Sequence, residues 1–203
     1  MDWFKLKRYF MRKLSLLAAA TAAALASPAF AANEGAYAGM GITHDNVATG
    51  GDVEGVGFNG VGGTVFAGYK IPVGEKAYTA VEANFDIMSA KVGDEADNVK
   101  ANHSFGASAL LGFNLNDSTS LFGRIGYQRG RETTTIDSEE FAANRDGLRF
   151  GAGLETKLTE SLSLRGEYSR THYYLSAEDK AEIEPLKSGV NNDQFAISIV
   201  AGF

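Results

Sequence analysis

"FAISIVAGF", residues 195–203, alternates: Phe195, Ile197, Ile199, Ala201 and Phe203 fall on one face, and Ala196, Ser198, Val200 and Gly202, smaller on the whole, on the other. Period two with one apolar side is the pattern of a strand. A soluble edge strand this apolar, with no Lys or Pro to blunt it, invites aggregation. Either a core covers it or lipid does.

The other end of the chain bears on that choice. "MRKLSLLAAATAAALASPAFA" (11–31) has a basic start at Arg12 and Lys13, an apolar stretch from Leu14 to Ala26, and an A-x-A ending at Ala29-Phe30-Ala31. That is the layout of a secretory signal peptide, cleaved before Ala32. A membrane anchor needs a longer apolar run and a charged stop in place of a small-residue cleavage site. The preceding "MDWFKLKRYF" makes the basic region unusually long, so translation is expected to begin at Met11.

Removing residues 1–31 takes five basic residues (Lys5, Lys7, Arg8, Arg12, Lys13) and one acid (Asp2) from the 19 and 25 of the whole chain. That leaves 14 and 24, a net charge of −10. Such a charge argues against nucleic acid or anionic lipid headgroups as general partners. An exported chain without cysteine has no disulfide framework, so burial and backbone pairing must stabilise it.

After residue 31 no apolar run is long enough for a spanning helix. A chain like this crosses a membrane only as a closed barrel, because lipid supplies no water to an open strand edge. Each barrel strand is a weak signal, about ten alternating residues between turns, but here the signal repeats. "FAGY" (66–69), "LLGF" (110–113), "GAGL" (151–154) and "VAGF" (200–203) each place a Gly before a large apolar residue. With the parity of the last strand, Tyr69, Phe113, Leu154 and Phe203 face outward as an interfacial girdle. Gly68, Gly112, Gly153 and Gly202 face inward and relieve crowding in a narrow lumen.

Brief links follow the first three: "KIPVGEK" (70–76), "NLNDST" (114–119) and "TKLTES" (156–161). Returning strands are "AYTAVEANFDI" (77–87), "SLFGRIGYQ" (120–128) and "SLSLRGEYS" (161–169), with "GAYAGMGIT" (35–43) first. The links on the other rim, about 45–59, 89–102, 129–145 and 171–192, are longer and polar. Short turns on one rim and long loops on the other mark an outer-membrane barrel. The expected fold is all-β, an eight-stranded antiparallel up-and-down transmembrane β-barrel over residues 32–203, its last strand closing against its first.

The chain thus resembles the small eight-stranded outer-membrane barrels of Gram-negative bacteria, the OmpA, OmpX and opacity-protein type. "FAISIVAGF", "RGEYS", "GAGLE" and the signal peptide carry the likeness. The resemblance implies that the terminal strand, through Phe195, Ile197, Ile199 and Phe203, is the signal read by the barrel-assembly machinery.

The same parity turns Glu82, Arg124, Glu155, Arg165 and Glu167 inward. On the lipid face each Arg would cost about 2–4 kcal/mol at the midplane. Eight strands enclose only enough room for side chains, so these charges are expected to pair as a structural ionic network. A filled lumen gives a substrate little access. Lipid A-modifying enzymes share this barrel size, but a PagL-like lipase needs H-x-S; here Tyr173 and Tyr174 follow His172, and Ser176 is the nearest later serine. His44, His103 and His172 lie at loop-side strand ends on non-neighbouring strands and read as rim residues. "GGDVEGVGFNGVGG" (50–63) has no Lys and no following helix, which removes a phosphate loop.

The reading that remains is a non-enzymatic monomer with no cofactor or metal, acting in envelope structure or surface interaction through four long loops; a small porin-like pore is the alternative. Outer-membrane lipid, lipopolysaccharide and the barrel-assembly machinery are the expected partners, with a loop ligand that the sequence does not name.

Overall fold

The computed structural model describes residues 35–49, 57–88, 91–93, 98–136, 139–174 and 189–203. The predicted signal peptide lies outside them. The described residues form nine strands: β1 Gly35–Thr49, β2 Gly57–Val73, β3 Ala77–Ile87, β4 Lys91–Gly93, β5 Asn98–Asn114, β6 Thr119–Ile136, β7 Glu139–Lys157, β8 Leu162–Tyr173 and β9 Val190–Gly202. All neighbours are antiparallel, β1 pairs with β9, and β3 pairs directly with β5, which closes the ring at eight strands. The short β4 adds to β5 at Lys91↔Lys100, past the point where β3 ends opposite His103.

Registers give the barrel its shape. The row Gly39–Phe66–Asn84–Gly106–Gln128–Gly147–Tyr173–Val190 returns to β1 at Thr49, ten residues beyond its start. With about 3.3 Å per residue and 4.8 Å between strands, a stagger of this size on eight strands tilts them by about 40°. The backbone cylinder then has a radius of about 8 Å, filled by side chains from both sides.

Alternation is strict. Along β3, Tyr78, Ala80, Glu82, Asn84 and Asp86 are buried, while Val81, Phe85 and Ile87 are exposed. β9 does the same, with Phe195, Ile197 and Ile199 outward. Exposed Met40, Ile42, Tyr69, Phe105, Leu111, Phe113, Ile125, Leu154 and Leu164 continue the apolar band around the wall. From Ala77 to Ile87 this band is about 25 Å tall at the estimated tilt.

The inner turns are short. Gly74, at φ 72°, occupies the turn between β2 and β3, a conformation that other residues rarely adopt. Asn116 Oδ1 accepts the Ser118 and Thr119 amides at 3.0 and 2.8 Å, and Thr159 Oγ1 accepts those of Ser161 and Leu162 at 3.3 and 3.0 Å. These side chains replace missing backbone partners in the turns.

The outer side departs from expectation. Within residues 129–145, expected as a loop, 129–136 and 139–145 are strand, with β6 and β7 in register from Arg129↔Asp146 to Ile136↔Glu139. β-Branched "TTTI" (133–136) suits a strand, and its polarity is that of a ribbon standing in water. β1 likewise runs on to Thr49, and β2 begins at Gly57 inside the stretch expected as a Gly-rich loop.

Candidate functional site

The one concentration of chemistry among the described residues is the interior. Glu82, Arg124, Glu155, Arg165 and Glu167 all point inward and are buried. Arg165 donates from Nη1 to Glu82 at 2.7 Å, and from Nη2 and Nε to Glu155 at 2.8 and 2.9 Å. Arg124 bridges Glu82 to Glu167, with Nε 2.9 Å from Glu167 Oε1. Tyr37 adds its hydroxyl to Glu82 at 2.8 Å.

Four further charged residues, missing from the sequence-level set, join these five. Lys70 meets Glu155 at 2.5 Å; Arg149 lies 3.9 Å from Glu167 and 3.2 Å from Asp86. The result is one line of alternating charge, Lys70–Glu155–Arg165–Glu82–Arg124–Glu167–Arg149–Asp86, each link an ion pair. Gln194 extends it, accepting from Arg149 at 2.5 Å and donating at 2.9 Å to Asp45, which also accepts from Thr43 and Asn192.

Parity extended along each strand reaches the missing four. Lys70 hides in a segment that looks like a turn, whereas β2 continues to Val73. Asp86 shares the face of Glu82 four residues on, Asp45 lies beyond the expected end of β1, and Arg149 belongs to a strand that starts well before "GAGL".

Aromatic rings fix the line sideways. The Arg165 guanidinium sits 4.6 Å from the Phe66 ring centroid, 5.1 Å from Phe122 and 5.3 Å from Tyr37, distances at which a ring face attracts a cation. Inward glycines make room for these rings: a Cβ on Gly112 would meet the Tyr78 ring at 2.1 Å, and one on Gly153 would meet Phe122 at 2.5 Å. Between Asn84, Arg124, Arg149 and Glu167 lies a void of about 10 Å³, about the volume that one water requires. Each carboxylate of the line has at least one cation beside it, and the paired charges brace the interior.

The terminal residues occupy the seam. Phe203 N–H donates to Ala36 O at 2.8 Å, and β9 pairs with β1 from Tyr37↔Gly202 to Thr49↔Val190. The three histidines stand on the outer rim: His103 stacks on Phe85 at 5.8 Å, and His172 Nδ1 lies 2.8 Å from Asn191 Oδ1.

Comparison with known proteins agrees with this geometry. A family model described as "Outer membrane protein beta-barrel domain" matches residues 15–203. Ail, the attachment invasion locus protein of Yersinia pestis, solved in complex with the heparin analogue sucrose octasulfate, aligns with TM-score 0.59 and 15% identity over 84% of this chain and 99% of that one. Neisserial surface protein A aligns with TM-score 0.60 and 15% identity over 83% and 97%. A major outer membrane protein from Thermus thermophilus reaches 0.51 at 13% identity, over 82% and 99%. At these identities the likeness concerns the fold alone. No curated protein matches the sequence.

Proposed function

This chain belongs to the outer membrane protein beta-barrel domain family, and on that premise we propose that its barrel is a closed, non-catalytic scaffold whose work is done beyond the outer rim, as a surface-interaction protein. The observation that carries the reading is the β6–β7 ribbon. Its pairing continues from Tyr127↔Leu148, in the exposed girdle, to Ile136↔Glu139, a projection of about 30 Å along the strands. Paired backbone held this far above a rigid barrel presents a defined surface to other molecules. In Ail, a barrel of this fold is solved with a sulfated ligand; the partner of the present chain is left to experiment.

The packed ionic line supports a scaffold over a pore, since eight strands leave little more than side-chain room. We further propose residues 1–31 as the export signal, and Phe195, Ile197, Ile199 and Phe203 as the contact for the barrel-assembly machinery.

The test replaces residues 132–143 with a two-residue turn. The variant is expected to refold to a barrel with unchanged heat-dependent gel mobility and to lose adhesion of expressing cells to host-type surfaces. Unchanged adhesion with this ribbon and each of the other outer links shortened in turn would overturn the reading. Planar-bilayer recording of the intact protein is expected to give no steady conductance.

A further inference from the structure

The buried charges of the interior do not balance. Among the described residues four basic and five acidic side chains are buried. Eight of them make up the alternating line, four against four, and Asp45 is left over. Its side chain is fully buried, and the groups that meet it are all neutral: Thr43 Oγ1 donates at 3.0 Å, and Asn192 Nδ2 and Gln194 Nε2 each donate at 2.9 Å. Among the described residues no ion pair reaches it.

Hydrogen bonds from neutral groups orient a buried carboxylate, but they do not cancel its charge, and an uncompensated charge away from water is unfavourable. Bulk water is shut out here: Val47, the next inward residue towards the outer end of β1, is buried as well. Asn192 supplies a second, separate observation. Its amide rests against Asp45 through Nδ2, while its Oδ1 is enclosed and has no donor. An anion without a counter-charge and an acceptor without a donor thus lie side by side, and one bound cation answers both.

We infer that the Asp45 carboxylate, Asn192 Oδ1 and the Thr43 hydroxyl hold one small monovalent cation, of the sodium class, at the outer end of the lumen. A donor set made only of oxygen selects a hard ion. The surplus is a single negative charge, which a monovalent ion cancels and a divalent one would reverse. A water could donate to Asn192 Oδ1, but it would leave the charge of Asp45 uncompensated. Thr43 and Asp45 belong to β1, whereas Asn192 and Gln194 belong to β9, with Asp45 directly opposite Gln194. The ion therefore clips the seam at which the last strand closes on the first, and its binding adds to the stability of the closed barrel. The site is independent of whatever the β6–β7 ribbon contacts.

The test is urea unfolding of the refolded full barrel in a zwitterionic detergent, with sodium chloride exchanged for choline chloride at constant ionic strength, since choline is too large for the site. The wild-type midpoint should be higher in sodium. Above the dissociation constant, the ratio of folded to unfolded protein at fixed urea should rise about tenfold for each tenfold rise in sodium, as one bound ion requires. Asp45→Asn removes the surplus charge and should abolish the difference between the two salts, while Asp193→Asn, which removes a carboxylate from the outer wall, should retain it. Heat-dependent gel mobility verifies each barrel, and the wild-type comparison decides by itself if Asp45→Asn does not refold. The proposal is overturned if the wild-type midpoint is the same in both salts, if Asp45→Asn keeps the sodium dependence, or if Asp193→Asn abolishes it, which would place the ion on the outer rim.

Discussion

Arg165 and Arg170 lie five residues apart on the same strand, and each grips a carboxylate of a neighbouring strand with two nitrogens. Their side chains are 2% and 57% exposed. Odd spacing puts them on opposite faces of β8, one inside a packed cylinder and the other at the outer rim. The contrast teaches that an ion pair here takes its energetic meaning from parity. Inside, an unpaired charge has no water to turn to; outside, it has.

The largest expected effect follows from the inside member. Arg165→Ala removes the only described cation that touches both Glu82 and Glu155, and strips the Phe66, Phe122 and Tyr37 rings of their shared partner. A loss of about 3–5 kcal/mol is expected, measured by urea unfolding in detergent, with little dependence on added salt. Arg124→Ala should behave alike, since Glu82 and Glu167 lose the cation that bridges them. Unchanged midpoints for both would mean that solvent reaches the line.

Next is the seam. Deleting Phe203 removes a partly buried ring at the closing strand, and the amide that donates to Ala36. The lost burial is about 1.5–3 kcal/mol at most. Surface abundance should fall more than the refolded protein's denaturation midpoint if the terminal strand is read during assembly. A parallel fall in both would reduce Phe203 to a stabilising contact.

Glycines repeat the inside–outside contrast in a neutral group. Gly112→Ala forces the buried Tyr78 ring to move, at a cost of about 1–3 kcal/mol. Gly123 faces the other way, and nothing lies within 4 Å of an added Cβ. Gly123→Ala should be neutral or slightly stabilising by the same assay. A large loss there would break the parity on which the contrast rests.

How much of this is legible in the sequence follows from the same period of two. The parity read from "FAISIVAGF" places Glu82, Arg124, Glu155, Arg165 and Glu167 on the lumen side, where all are buried. It does not name Lys70, Asp45, Asp86 or Arg149: Lys70 and Asp45 fall in polar stretches that read as links, Arg149 precedes the "GAGL" repeat that marks its strand, and Asp86 sits at the outer end of β3 on the face of Glu82. Polarity at a strand's outer end reflects water above the membrane, not loss of pairing; the registers of β6 and β7 continue through "RETTTI" without a break. The alternating order of charge is not legible at all, since it depends on the ten-residue stagger that brings β2, β7, β8, β3 and β6 to neighbouring levels.

The smallest effect belongs to the outside member. Arg170→Ala leaves Asp193 with the Tyr168 hydroxyl, which already donates to it at 2.5 Å, and with access to water. Exposed pairs of this kind contribute about 0.2–1 kcal/mol, less at high salt. The midpoint should therefore move by no more than that, and the wild-type advantage should vanish near 1 M salt, where the screening length is about 3 Å. Arg165→Ala, measured beside it, should keep its full loss at that salt. If instead Arg170→Ala costs as much as Arg165→Ala, the rim pair is buried by lipid headgroups or by the outer links, and the two faces of β8 are electrostatically alike.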